Sequence, residues 1–251
     1  AGGLTVALAA DPADAGTLPV EVTIAENAME ATFDFVAGAN EVALTITATL
    51  DTLTATAAVE IQSVALSTML VINEVDYDMV GSDNAEFVEI FNPTSGSVDL
   101  TGLALVFVNG SATSLAEYRR VDLGAAGTLP AGGYLVAAPS TVTVATGALV
   151  VEMTGSDLVQ NGAPDGVALI DTADGTLIDA LSYEGAITAC TIEGISGTVS
   201  LVEGTVLPTD VADSNADVGS LIRWPNGSDT EDAATDWVFS GQLTPGAANL
   251  Q

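Results

Sequence analysis

The sequence predicts an all-β protein made of two β-sandwich domains in tandem, and three observations lead to this fold class. Apolar and polar residues alternate with a period of two over most of the 251 residues, while helical periodicity is almost absent. The alternating runs are rich in Thr and Val, whose β-branched side chains favour strands. Turn residues separate many short runs, as is typical of sandwiches and barrels. A boundary at residues 63–69 predicts domains at 1–65 and 66–251.

Five strands are predicted in the N-terminal domain. They lie near residues 4–9, 18–24, 30–35, 41–50 and 53–61. Turn chemistry at Asp11-Pro12, at residues 37–40 and at Asp51-Thr52 separates them. Five strands are few for a closed sandwich, and an unpaired strand edge is a template for a strand from another chain.

The same stretch resembles the later part of a bacterial immunoglobulin-like (Ig-like) surface repeat. The similar segments are residues 1–8, 20–24, 31–35 and 54–61. Such repeats usually begin with a strand ahead of a Gly-Gly turn, and this chain opens almost directly at Gly2-Gly3. The resemblance therefore implies an Ig-like sandwich that lacks its first strand and accepts one.

The C-terminal domain continues as many short strands. They are predicted near residues 70–78, 86–93, 104–109, 117–123, 134–138, 149–153, 167–171, 177–183, 198–202 and 220–224. Pro93 ends the second of them because proline has no N–H to donate to a ladder. Regular alternation between such turns predicts a second sandwich.

From residue 70 onward the sequence resembles a bacterial lamin tail domain. The resemblance is carried in order by residues 71–78, 86–93, 98–105, 129–136, 161–169, 177–185, 220–225 and 244–249. It includes the turn Leu129-Pro130-Ala131-Gly132-Gly133 and the closing Thr244-Pro245-Gly246. The family implies an Ig-like β-sandwich without catalytic activity of its own, typically in secreted and cell-surface proteins. Both domains of the tandem are thus expected to be Ig-like.

Residues 186–219 are longer than the corresponding family segment. They contain Cys190 and the acidic run Asp210, Asp213 and Asp217. The segment could be a decorated loop, an extra hairpin or an interaction arm. Because Cys190 is the single cysteine, no intrachain disulfide is possible, and a small buried hydrophobe is favoured over a reactive thiol.

The charge is strongly one-sided. There are 34 acidic residues against three basic ones, which gives a net charge of −31, and the basic residues are Arg119, Arg120 and Arg223. Such a field repels nucleic-acid phosphates and anionic lipid, and no apolar run is long enough for a transmembrane helix. We therefore expect no nucleic-acid partner and no membrane insertion. We expect Arg223 to pair with an acid or to stack on an aromatic ring.

The composition offers few of the residue types that enzymes use for catalysis. Without His or Lys, the common general bases and Schiff-base nucleophiles are absent. A carboxylate pair of the kind that glycosidases use is the remaining route. We expect a protein that is not an enzyme.

Calcium is the ligand that the residues favour. Asp76, Asp78, Asp83, Asn84 and Glu86 fall within eleven positions across a strand end, a turn and a strand start. Asp76 and Asp78 share a face of the strand, and a hairpin return could bring the others close to give oxygen ligands for Ca²⁺. The alternative is a solvated acidic turn. A weaker second cluster consists of Asp229, Glu231, Asp232 and Asp236.

Two functions remain open from the sequence. The first is a subunit of a self-assembling extracellular fibre or surface layer, in which a neighbouring copy completes the N-terminal sandwich by β-strand complementation. The second is an adhesive or ligand-binding module of a larger secreted or cell-surface protein that recognises a glycan or a protein. Since the chain starts with Ala1 and lacks a basic signal region, we expect it to be a processed product or a piece of a longer protein.

Overall fold

Strands dominate both halves of the chain. The computed structural model describes residues 2–38, 42–61, 69–110 and 115–251, and the chain divides into two units, Ala1–Ala65 and Leu66–Gln251. Within the described residues, α-helix is confined to the single turn α1 (Ala233–Asp236). The predicted all-β class is confirmed. Among these residues, no helix has the length and apolar character needed to cross a membrane.

The N-terminal unit is built on one antiparallel sheet. Its strands are β1 (Leu4–Asp11), β2 (Gly16–Thr17), β3 (Glu21–Ile24), β4 (Val36–Ala37), β5 (Val42–Leu50) and β6 (Leu53–Ile61). The sheet order is β3-β1-β5-β6, and β2 pairs with β4 in a separate two-stranded ribbon. Among its described residues, the buried apolar side chains are Leu8, Ala15 and Leu44. The described part of the unit is therefore one four-stranded sheet and one two-stranded ribbon with a very small core.

Two predicted strands of this unit differ from the structure. Residues 30–35 join no ladder. The Phe35 side chain lies against Gly16, and the pairing with β2 begins only at the next residue, Val36 of β4. The strand predicted from residue 18 begins at Glu21, after Pro19, which cannot donate to a ladder. The predicted turn at residues 37–40 and the boundary at residues 63–69 lie largely outside the described residues.

The C-terminal unit is a two-layered sandwich. Its first strands are β7 (Val71–Asp76), β8 (Phe87–Phe91), β9 (Val98–Asp99), β10 (Leu103–Asn109), β11 (Glu117–Asp122) and β12 (Thr128–Leu129). The others are β13 (Tyr134–Ala138), β14 (Leu149–Glu152), β15 (Asp165–Asp171), β16 (Thr176–Tyr183), β17 (Ser220–Arg223) and β18 (Trp237–Ser240). A six-stranded sheet has the order β14-β13-β8-β7-β17-β18, and a four-stranded sheet has the order β11-β10-β15-β16.

The main core lies between these two sheets. Alternate residues of β8, such as Val88 and Ile90, and of β10, such as Leu105 and Phe107, meet in one buried cluster. In β7 the alternation is interrupted, because the pairing with β8 shifts register between Ile72 and Glu74. A shift of this kind turns the following residues to the opposite faces. Val75 consequently faces the core.

The long segment 186–219 covers the outer face of the four-stranded sheet. Ile187, Cys190, Ile192 and Leu201 pack with that face in a second buried cluster. Gly166 makes room for this cover, since a Cβ there would lie 2.9 Å from the Leu201 side chain. The strand predicted at 198–202 is reduced to one bridge between Cys190 and Val199, because the apolar residues of this stretch pack onto the sheet instead of pairing beside it.

Candidate functional site

The predicted calcium residues gather around the turn between β7 and β8. Asp76 is the last residue of β7 and is paired with Phe87, the first residue of β8. Glu86 immediately precedes β8, so the antiparallel pairing brings it back beside the end of β7. The five residues therefore share one end of the sandwich, but their side chains take different directions.

Asp78 and Asp83 lie on the outside of this turn. The side-chain amide of Asn161 donates to Asp78 Oδ1 at 3.2 Å and to Asp83 Oδ2 at 3.5 Å. Asp83 Oδ1 also accepts from the backbone N–H of Met79 at 3.1 Å. Asn84 is exposed, and its backbone carbonyl accepts from the Thr141 hydroxyl. Both carboxylates are thus already held by neighbouring donors.

Glu86 points into the protein. Its Oε2 accepts from the backbone N–H groups of Leu158 at 2.9 Å and Val159 at 3.4 Å, and burial raises its pKa to about 7. Over the ranges that the structure describes, no group of three or more His, Cys, Asp or Glu side chains is arranged to hold a metal ion. Calcium binding by Asp76, Asp78, Asp83, Asn84 and Glu86 stays a prediction.

Three buried acids form a row on the outer face of the six-stranded sheet, and we call Glu74, Asp76 and Glu89 the acid row. Glu74 accepts from the hydroxyls of Ser220 and Thr244, both at 2.7 Å. Glu89 accepts from the Asn73 side chain at 2.7 Å and from the backbone N–H of Gly246 at 2.6 Å. The closing Thr244-Pro245-Gly246 motif is therefore fixed onto two members of the acid row.

Asp76 is the third member and is held differently. Its side chain is buried, with 2% exposure, and its Oδ1 has no hydrogen-bond partner in the described part of the chain. Burial raises its pKa to about 8, helped by the carboxylates of Asp213 and Glu74. Asp213 itself accepts from the backbone N–H groups of Tyr77 and Asp78, each at 3.1 Å.

A cleft opens beside Asp76 in the C-terminal unit. Two adjoining cavities, about 290 Å³ and about 80 Å³ in volume, both include Asp76, Met79 and Leu243 in their walls. The larger is otherwise lined mainly by Phe87, Val142 and Pro245, and the smaller by Val80 and Val218. We call the pair of cavities the Asp76 cleft. It combines one unpartnered buried carboxylate with mainly apolar walls.

Arg223 occupies a second, fully internal site. Its guanidinium contacts Asp179 at 2.7 Å, Asp229 at 3.2 Å, Glu203 at 3.3 Å and Asp236 at 3.4 Å. It also lies 5.0 Å from the ring centroid of Trp237. Both expected interactions of Arg223, with acids and with an aromatic ring, are therefore present.

The weaker predicted calcium cluster is used within the fold. Asp229 and Asp236 bind Arg223, while the Asp232 side chain accepts from the backbone N–H of Thr235 and caps α1. Sequence reasoning missed Asp179 and Glu203 as partners because neither lies near Arg223 along the chain. The one signal in the sequence is the excess of acids, 34 against three basic residues, which favours contact of a buried arginine with several carboxylates but does not say which ones.

The edge strand β6 is the third candidate site, in the N-terminal unit. It pairs with β5 over nine consecutive positions, from Val42–Ile61 to Leu50–Leu53, without a register shift. Its other edge has no ladder partner among the described residues. Most of its residues are exposed, including Leu53 at 71%. It contains no Pro, Gly, Lys or Arg, and its single charged residue is Glu60.

The fold and these sites define the C-terminal unit as a β-sandwich of the Ig-like class, in which buried acids act mainly as hydrogen-bond acceptors. Residues 63–185 match the family model of the Lamin Tail Domain. This match confirms the predicted resemblance of this part of the chain to the lamin tail domain. The match ends at Gly185, so residues 186–219, which cover the four-stranded sheet, and strands β17 and β18 lie beyond it.

Other comparisons add little to this assignment. A solved structure of a DUF4876 family protein from Bacteroides thetaiotaomicron VPI-5482 is similar over 100% of this chain and 93% of its own, with a TM-score of 0.42 and 9% sequence identity. The search of curated proteins finds no match.

Proposed function

We propose that this protein is a non-catalytic structural subunit that assembles outside the cell by accepting a strand from a second copy of itself along β6. The lamin tail domain supports a module without catalytic activity. The observation that carries the proposal is the nine-residue outer edge of β6, which has no ladder partner among the described residues, in a unit whose described core is very small.

The composition of β6 supports strand addition. Natural proteins protect exposed edges with Lys, Pro, bulges or very short strands, because an unprotected edge pairs with other chains. β6 has none of these protections in its nine residues. The ladder hydrogen bonds of an added strand would satisfy its outward N–H and C=O groups.

The small core of the N-terminal unit supports the same conclusion. Six large apolar side chains in the described part of this unit are exposed, namely Leu4, Val20, Met29, Phe33, Val36 and Leu53. A single sheet needs a second apolar layer for independent stability. A neighbouring copy that extends the sheet and covers part of this surface would supply such a layer.

Charge sets the conditions for assembly. Two copies with a net charge of −31 repel one another, so assembly should strengthen as salt or divalent cations screen the repulsion. Calcium, which we predicted at the turn between β7 and β8, would act in this direction.

Ala58→Pro tests the proposal. Counted from the hairpin pair Leu50–Leu53, Ala58 belongs to the alternate residues of β6 that direct their N–H away from β5. Proline removes this outward donor and should abolish assembly without breaking the β5–β6 ladder, whereas Ala58→Val keeps the donor and serves as the control. Sedimentation velocity and electron microscopy at low salt, high salt and with Ca²⁺ give the readout.

Salt-dependent polymers in the wild type and in Ala58→Val, with monomers in Ala58→Pro, are the expected result. A wild type that stays monomeric in every condition would contradict the proposal. Assembly of Ala58→Pro to the wild-type extent would exclude β6 as the accepting edge. Dimers alone would exclude a propagating fibre or layer.

A ligand-binding module is the second candidate function, and the Asp76 cleft is the observation that favours it. A stable monomer that binds a ligand through this cleft would support it over assembly.

A further inference from the structure

The Asp76 cleft has a floor that is polar and walls that are not. Asp76 lies at the floor with 2% exposure, and its Oδ1 has no hydrogen-bond partner in the part of the chain that the structure describes. Asp76 lines both cavities of the cleft. An ionised carboxylate in such a position is costly unless a donor or a cation approaches it.

The neighbouring acids do not share this condition. In the acid row, Glu74 is held by Ser220 and Thr244, and Glu89 by Asn73 and Gly246. Donors of the chain therefore satisfy two of the three carboxylates, and the third faces a cleft. The arrangement distinguishes Asp76 from the many acids of this protein that serve only as internal acceptors.

The rim of the cleft is an exposed apolar surface. Val80, Val218 and Leu243 are 51%, 61% and 38% exposed, and they surround the opening together with Met79. Deeper in, Phe87, Val142 and Pro245 complete the wall. A ligand that fits has an apolar body and one group that a carboxylate recognises.

Electrostatics determine the sign of that group. Asp213, Glu74 and Glu86 all act on Asp76 with negative charge, so an anion is excluded and a cation is favoured. Calcium requires six to eight oxygen ligands. The cleft offers the carboxylates of Asp76 and Asp217 and the hydroxyls of Thr141 and Thr143 among mainly apolar groups. An organic cation suits this lining better than a hard metal ion.

The cation must come from another molecule. This chain contains no lysine. Arg223 is buried among four acids, Arg120 pairs with Glu117, and Arg119 donates to the backbone carbonyls of residues 154, 156 and 157. A second copy therefore has no lysine side chain to place in the cleft.

We propose that the Asp76 cleft binds a primary ammonium group carried on an unbranched apolar chain, as in a lysine side chain or a free alkylamine. The ammonium contacts Asp76 at the floor, and the methylene groups pack against Met79, Phe87 and Leu243. This site is independent of strand pairing at β6 and gives the C-terminal unit a binding activity of its own.

Titrations with two amines and one neutral analogue test the proposal. The probes are n-pentylamine, Nα-acetyl-lysine-N-methylamide and pentan-1-ol, followed through the methyl NMR signals of Met79 and Leu243 and by calorimetry. Asp76→Asn removes the charge with little change of shape, and Leu243→Ala removes part of the wall. Asp174→Asn is the matched control, since it makes the same substitution at an exposed position that does not line the cleft.

Both amines should shift the Met79 and Leu243 signals. Asp76→Asn should lower the affinity for both amines by about tenfold or more, as expected for loss of one desolvated charge partner. Leu243→Ala should weaken amine binding less, and Asp174→Asn should bind the amines as the wild type does. Tighter binding of the blocked lysine identifies a polypeptide as the source of the ammonium, and tighter binding of pentylamine identifies a small amine.

Three results would overturn the proposal. They are equal binding of pentan-1-ol and pentylamine, amine binding that survives Asp76→Asn, and displacement of the amines by Ca²⁺ through Asp76. Circular dichroism of each variant confirms that it is folded. Since burial and neighbouring acids already disfavour the charged form of Asp76, its replacement by a neutral amide of similar shape should leave the fold at least as stable as the wild type.

Discussion

The two units of this chain bury their apolar residues to very different extents. In the C-terminal unit, two sheets enclose one core, and the outer face of the four-stranded sheet is buried again under residues 186–219. In the N-terminal unit, the described apolar residues that are buried are Leu8, Ala15 and Leu44. Both sequences alternate with the same period, so strand formation alone does not produce a large core; a second apolar layer is needed.

The units also use their acids differently. The described acids that are buried, namely Glu74, Asp76, Glu86, Glu89, Asp165, Asp179, Asp213 and Asp236, all belong to the C-terminal unit. Most accept hydrogen bonds from backbone N–H groups or hydroxyls, and some bind Arg223. Acidic residues thus connect distant segments of one unit and lie at the surface of the other.

Replacement of Arg223 should give the largest change and should affect one unit only. Arg223→Met leaves Asp179 and its neighbours as buried acids without a cation, and such losses destabilise by roughly 3–5 kcal/mol. Both tryptophans and all four tyrosines lie in the C-terminal unit, so intrinsic fluorescence follows its unfolding separately. Urea titration should show a much lower midpoint for Arg223→Met and a smaller decrease for Arg223→Lys, which keeps the charge. An unchanged midpoint would show that the buried ion pairs contribute nothing.

A matched pair of core truncations compares the units directly. Leu44→Ala and Leu105→Ala each remove a buried leucine, at a cost of roughly 2–5 kcal/mol. Because the N-terminal core is so small, Leu44→Ala should unfold that unit, with loss of far-UV circular dichroism and an unchanged fluorescence transition. Leu105→Ala should lower the fluorescence midpoint while the unit remains folded. If both units stay folded, or both unfold, the two units do not differ in how much loss of core packing they tolerate.

The pH dependence of the C-terminal unit should reveal its buried acids through a gradual change in stability, which is the smallest of the three effects for a step of one pH unit. Burial raises the pKa of Glu89 to about 8 from a usual value of 4.5, so the folded state binds a proton more tightly than the unfolded state. Stability from this group is therefore present below about pH 4.5 and is lost as the pH rises through about 8. One such group changes stability by at most ~1.4 kcal/mol per pH unit.

Glu89→Gln is the variant that isolates this contribution. In this variant the fluorescence-detected unfolding free energy should fall less steeply between pH 5 and pH 8, the interval in which the unfolded wild type has released the Glu89 proton and the folded wild type still binds it. Glu152→Gln, at an exposed position of β14, makes the same change of charge and should keep the wild-type slope. A Glu89→Gln slope equal to the wild-type slope would show that Glu89 does not titrate in this range.

Local strand positions could be predicted from the sequence because alternation and turn residues report local structure. Residues 53–61 and 134–138 were predicted as strands and form β6 and β13 with the same bounds. Short ladders such as β9 with β12 were missed, since two residues are too few to show a period. The register shift in β7 was also missed, because the letters Ile72, Asn73, Glu74 and Val75 do not reveal where the extra residue lies.

The candidate site could be predicted only in part. Asp76 and Glu86 were correctly placed at one end of the sandwich by the hairpin argument. Whether a carboxylate faces solvent, a backbone donor or a cleft depends on residues far away along the chain. Asp213 binds the backbone of Tyr77 across 136 positions, and Leu243 reaches the same cleft from the C-terminal end. No spacing in the sequence records such partners.

The placement of the three arginines affects the resistance of the folded protein to proteolysis. Trypsin-like proteases cut after Lys or Arg, and the N-terminal unit contains neither. In the C-terminal unit, Arg223 is fully buried, and Arg119 and Arg120 lie within β11, where the backbone pairs with β10. A folded copy therefore gives this large class of proteases almost no extended, accessible bond to cleave, and its durability against them follows from where three side chains lie.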